Sequence, residues 1–181
     1  LRADLLIEAW NYEFMIQYVN EVQVNAEKTL AVLEGRAIAS NEQLIISAYR
    51  ASQYTVPIRR RAAYDQMTST GTLELVKDKT LLNAAALVYD DGVFTHVVNQ
   101  VTLGAKYREA FRLNIPIEVQ SVLGEQCGDK FAPIGNFKAM INTLNYDCVT
   151  GLNQDVIDNA ANILRSNDSI VPLLRMRISD L

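Results

Sequence analysis

The chain has one histidine, two cysteines, four prolines and one tryptophan in 181 residues. Each scarcity excludes something. Most general-base schemes and most catalytic metal sites draw on histidine, so the lone His96 argues against triads and histidine-built metal centres. Two cysteines and one histidine are too few for a structural zinc site. No stretch of about 18 apolar residues occurs, so no segment reads as a membrane span. No secretory leader is visible either. Positive charge is sparse: the formal net charge is −4, and the only dense basic run is Arg59-Arg60-Arg61. Nucleic acid, which needs a basic face, is not an expected partner. The phosphate-binding glycine loop, G-x-S-x-G and H-E-x-x-H are all missing. No catalytic residue, metal or cofactor is expected.

What remains is an ordinary globular composition, 49% apolar and 21% charged. The length suits one full-sized domain, read here as a single helical domain over 1–181. Periodicity predicts an all-α fold. Over residues 3–34, Leu5, Ala9, Tyr12, Ile16, Val19, Gln23, Ala26, Leu30 and Leu33 recur at spacings of three and four. That pattern predicts one very long helix with an inward seam, flanked by Trp10, Phe14 and Val22 and closed by Gly35. Such a rod would be about 48 Å long. A compact chain of this size is roughly 40 Å across, so an elongated bundle is expected.

Ser40 and Gln43 form a capping-box pattern opening a helix to about Gln53, with Leu44, Ile45, Ala48 and Tyr49 inward. Pro57 marks an extended connector. A short helix over about 60–68 follows, then a turn at Gly71 and one extended turn over 72–76. Asp78 caps a second long, central helix predicted from Lys79 to about Arg112. Its inner face is read as Leu82, Ala86, Tyr89, Val93, Val97, Val101 and Tyr107. The run Val93–Val98 has strand propensity but keeps the helical period. Pro116 opens a helix to about 126, a short helix is expected over 136–146, and Asn153 caps the last helix, which Pro172 kinks or restarts.

Few residues gather chemistry. Arg59, Arg60, Tyr64, Asp65 and Ser69 lie around a turn whose free N–H groups, with arginine and tyrosine, suit a small anionic ligand such as a carboxylate or phosphate. The plainer reading is an Arg60–Asp65 pair pinning a helix–loop junction. His96 reads as a satisfied or surface side chain. Asp90 and Asp91 read as a solvated face. Asp4 and Glu8 are like charges one helical turn apart, a mild liability. Cys127 and Cys148 lie in loop-like contexts at the ends of a short hairpin. Either they pair, contributing roughly 3 kcal/mol through loop closure, or they are two free thiols. A pair would place the chain outside the cytosol.

The stretch Arg61-Ala62-Ala63-Tyr64-Asp65-Gln66-Met67-Thr68-Ser69-Thr70-Gly71-Thr72-Leu73-Glu74-Leu75-Val76-Lys77-Asp78-Lys79-Thr80-Leu81, reaching Tyr89, resembles a pattern in poorly characterised bacterial membrane-anchored proteins. These form a family of unknown function with an extracytoplasmic helical domain. In them an N-terminal membrane helix continues into a long apolar-heptad helix. An aromatic–acid pair, a Ser-x-Gly turn, a Leu-x-Leu-Ile piece, which here ends in Val76, and Asp-x-x-Leu follow. Here Tyr64-Asp65, Ser69-Thr70-Gly71, Leu73-Glu74-Leu75 and Asp78–Leu81 stand in those places, and Cys127-Gly128 is similar to a later feature of the group. The chain opens at Leu1 inside a helical pattern, so an anchoring helix is expected upstream. The resemblance implies a non-catalytic sensor or scaffold domain, periplasmic and tied to the inner membrane, that binds an unknown anionic ligand or protein partner. A homodimer through the first helix is a further expectation. A cytosolic helical interaction module is the alternative. An enzyme using carboxylate, arginine or tyrosine groups is a third reading.

Overall fold

The computed structural model describes residues 1–55, 59–90, 92, 94–95, 99, 105–130 and 144–181. Among the described residues there are eight α-helices and no strands, in an elongated helical bundle. They are α1 (Arg2–Leu33), α2 (Asn41–Ala51), α3 (Ala62–Ser69), α4 (Lys79–Tyr89), α5 (Ala105–Asn114), α6 (Ile117–Cys127), α7 (Gln154–Ser166) and α8 (Ile170–Asp180). A short 3₁₀ helix, Thr72–Leu75, precedes α4. The 72–76 piece is therefore a helical turn, where an extended one was expected.

Helix ends follow local chemistry. Gly35 takes φ +71, and the N–H groups of Arg36 and Gly35 turn back to the carbonyls of Ala31 and Val32, closing α1 in a Schellman turn. Ser40 and Gln43 form both halves of a capping box at α2. Asp78 accepts from the Leu81 N–H at 3.1 Å at the start of α4. Pro172 sits in the first turn of α8, where its missing N–H does no harm, so the last helix restarts rather than bends.

Helix α1 is the spine. Three apolar clusters are strung along it. At its start, Leu1 and Leu5 pack with Tyr64, Leu73, Ala85, Val88 and Tyr89. In its middle, Phe14, Tyr18 and Val22 meet Leu144 and Leu181. Toward its end, Ala26 and Leu30 join the main core of α2, α5, α6, α7 and α8, which holds the fully buried Leu44, Ile45, Phe111, Leu123, Leu164 and Leu174. Fully burying one such side chain contributes about 1.5–3 kcal/mol, so the main core dominates stability.

Helix α2 lies at the centre of that core, and its end is closed by cations. Arg108 donates to the Ser52 carbonyl at 3.0 Å and Arg177 to the Gln53 carbonyl at 2.9 Å. Positive charge at a helix C-terminus offsets the free carbonyls and the dipole there.

Two expectations are corrected. The inward seam of α1 holds only toward its C-terminal end. Ile16 is 63% exposed and Ala9 is exposed, while Glu8, Asn11, Met15, Tyr18, Val22 and Asn25 are buried. The buried face is rotated by one residue because several of those polar groups have specific partners. Asn25 Nδ2 donates to the Glu21 carbonyl, and the Tyr18 hydroxyl donates to Asp129 at 2.9 Å. The second long helix is also absent as drawn: α4 ends at Tyr89, and Gly92 stands in the left-handed region at φ +68. Its inward residues are Ala85 and Tyr89; Ala86 is exposed. Val93, Val97, Val101, His96 and Asp91 lie outside the described residues, as does most of the helix expected over 136–146; Leu144–Tyr146 are not helical.

Candidate functional site

Three places collect polar side chains. The first is built on the N-terminal half of α1. Glu8 is fully buried, and its carboxylate accepts the Arg60 backbone N–H at 2.5 Å and faces the Arg59 guanidinium at 3.4 Å. One turn earlier, Asp4 accepts the Ala63 N–H at 3.3 Å. Ala63 lies in the first turn of α3, which has no side-chain cap of its own. Two carboxylates from α1 thus satisfy donors at the mouth of another helix, where negative charge is favoured. The like charges that read as a liability in the sequence are a matched pair of anchors.

Arg59 completes this latch. It donates to the Val88 carbonyl at 2.5 Å, and its guanidinium lies 5.3 Å from the Tyr89 ring and 4.7 Å from Phe94. The Tyr89 hydroxyl donates to the Arg60 carbonyl at 2.8 Å. The Tyr64 ring packs against that of Tyr89 at a 30° tilt with centroids 4.8 Å apart, and its hydroxyl donates to Asp90. Both phenols are pushed up to about 12, Tyr64 chiefly by that bond to Asp90 and Tyr89 by burial. Both therefore remain donors through neutral pH.

The residues singled out for a small anion are placed as follows. Arg59 and Tyr64 sit inside the latch with Glu8, Tyr89 and Asp90. Arg60 contributes its backbone, and the residue as a whole is exposed. Asp65 is exposed and pairs with Arg61 at 2.7 Å, so the expected Arg60–Asp65 pin is an Arg61–Asp65 pair. Ser69 is exposed and donates to the Gln66 carbonyl.

The second place surrounds the cysteines. Cys127 and Cys148 form a disulfide with Cα atoms 5.6 Å apart. Cys127 is fully buried at the end of α6 rather than in a loop. Gly128 follows it of necessity, since a Cβ there would lie 2.4 Å from the Gly124 carbonyl oxygen. Arg50, buried on α2, ties the region together. It donates to the carbonyls of Cys127 and Tyr146 at 3.0 Å, reaches Cys148 Sγ at 3.4 Å, and stands 4.5 Å from the Tyr146 ring. Lys130 approaches the same ring at 3.4 Å. Farther along, Glu42 accepts from the Thr150 N–H at 2.7 Å and its hydroxyl at 2.6 Å. The extended segment 144–150 therefore hangs on α1 and α2 side chains instead of on a helix of its own.

The Thr150 donors hold the Glu42 carboxyl below the usual carboxylate range. A depressed folded-state value means stability that is present above the ordinary carboxylate range and is lost as pH falls through the folded value. Glu42→Gln is expected to cost about 1–2 kcal/mol at pH 7. The gap from the parent should close toward pH 3, as followed by thermal unfolding across that range. A gap independent of pH would show that the carboxylate charge is not what Thr150 recognises.

The third place is a groove of about 550 Å³ beside the middle of α1, bordered by Arg50 and Leu144. Glu13, Ile16, Asn20, Val24 and Lys28 of α1 also line it. Periodicity assigned Ile16 to the core and so hid this surface. Among the described residues no group of three or more His, Cys, Asp or Glu side chains could hold a metal ion, and no helix is long and apolar enough to cross a membrane. No protein-family model matches the chain, and no curated protein or solved structure matches it either.

Proposed function

We propose that this chain is an extracytoplasmic helical binding domain, acting as sensor or scaffold within a bacterial membrane-anchored protein. The disulfide carries the reading. Cys127 and Cys148 are joined where Arg50 also holds both flanking segments, and the bond packs against the main core. Structural disulfides of this kind form and persist in oxidising compartments. The fold supports a scaffold role as well: one spine, α1, carries three separate packed clusters and leaves a groove along its side. The Arg59 latch fits this reading as the junction that ties the 59–90 segment to the start of α1.

The test is to trap thiols in intact native cells with a membrane-permeant maleimide before lysis, then run the protein without reductant. Protection of both cysteines is expected. If both react in the parent chain, the compartment is reducing, and a cytosolic interaction module replaces the extracytoplasmic reading.

A further inference from the structure

We propose that the exposed stripe on the middle of α1 is a self-association surface, on which a second copy of this chain packs its own α1 antiparallel about a twofold axis at Asn20. Ile16, Asn20, Val24 and Lys28 are spaced four apart and form one ridge of the helix, with Glu13 on the adjoining row. All five are exposed, Ile16 by 63% and Val24 by 45%, and all five line the groove. Ile16 and Val24 put exposed apolar surface one turn to either side of Asn20 on this ridge.

The order of the residues selects the occupant. A twofold partner must present the same patch to itself. In the antiparallel sense, Asn20 meets Asn20, where two amides can each donate and accept. Ile16 then lies against Val24 of the other copy, twice. Glu13 then faces Lys28 of the other copy, again twice. On either side of the Asn20 pair, apolar meets apolar and acid meets base. A parallel pair would set Glu13 against Glu13 and Lys28 against Lys28. The patch is short, so the dimer is expected to be weak and concentration-dependent. The compartment in which the chain works has no bearing on this pairing, so it stands or falls apart from the reading above.

Sedimentation equilibrium of the intact, oxidised chain tests it. The apparent mass should rise from 20.2 kDa toward twice that value as concentration approaches about 100 µM. Glu13→Lys or Lys28→Glu alone should weaken association about tenfold or more, since each sets like charges together. The two combined should restore it to within about threefold of the parent. Cysteine cross-linking then fixes the direction. Residues 13 and 28 are about 22 Å apart along one rigid helix. Glu13→Cys together with Lys28→Cys should link two chains, whereas Glu13→Cys alone should not. A monomer at every concentration, a failed charge-swap rescue, or linking by Glu13→Cys alone each overturns the proposal. All these positions are exposed, so the variants should fold, and circular dichroism of each confirms it.

Discussion

Replacing Cys127 and Cys148 together by alanine is expected to lower the unfolding free energy by roughly 3 kcal/mol. The bond closes a loop of sequence separation 21, and the chain-entropy relation gives about that figure for such a loop. Context adds to the loss. Cys127 is fully buried, so alanine leaves a small void beneath the end of α6. Arg50 keeps its two carbonyl partners only while Cys127 and Tyr146 stay close. For a chain this long the melting temperature should fall by about 6–12 °C, in scanning calorimetry or circular dichroism. Reduction of the parent with excess thiol should reproduce most of the shift. Hydrogen exchange should locate the damage: the Leu144 and Thr150 amides, bonded to Glu21 and Glu42, lose protection before those of α2 and α7. A shift under about 2 °C would mean that the Arg50 and Glu42 bonds hold the segment without the cross-link.

The two approaches to this fold, from sequence and from coordinates, agree where structure is local. Ser40 with Gln43, Asp78, Gly35 and Pro172 act within a turn of their own position, so their chemistry is written in adjacent residues. The inward set of α2 was equally plain, because its buried apolar side chains lie in one core. The seam of α1 was not. Apolar residues are spread around that helix, and partners distant in sequence decide which side is inside. Glu8 is buried because Arg59 and Arg60 come to it from about 50 positions away. Tyr18 is buried with its hydroxyl on Asp129, 111 residues on. Hydropathy carries no record of such pairings, and it therefore pointed at Ile16 and away from Met15. The same limit applied to the candidate site. Arg59, Tyr64 and Tyr89 were conspicuous, but Glu8, which organises them, looked like a surface acid. Asp4 and Glu8, one turn apart beside an apolar stripe, were the available signal. Equally, nothing near Arg50 in the sequence marks it as the side chain that binds both sides of the disulfide.

The Arg59 latch leads to the larger local effect. Arg59→Ala would leave the fully buried Glu8 carboxylate with only the Arg60 N–H, and would strip the Val88 carbonyl of its donor. Breaking a buried ion pair from one side typically costs about 3–5 kcal/mol, because the charge left behind is unpaired. The loss should be confined in space. The cluster that Arg59 supports, built on Tyr64, Ala85 and Tyr89 against Leu1 and Leu5, is separate from the main core. Hydrogen exchange of α3 and α4 should accelerate by about two to four orders of magnitude, while α2, α7 and α8 keep their protection. Arg59→Lys should fall between the two, since an ammonium keeps the charge but cannot serve Glu8 and the Val88 carbonyl in one planar fork. Arg61→Ala is the control: its partner Asp65 is exposed, and exchange should stay at the parent rate. Should the Arg59 and Arg61 variants behave alike, the 59–90 segment is held by its apolar contacts, and the carboxylates of α1 are not its anchor.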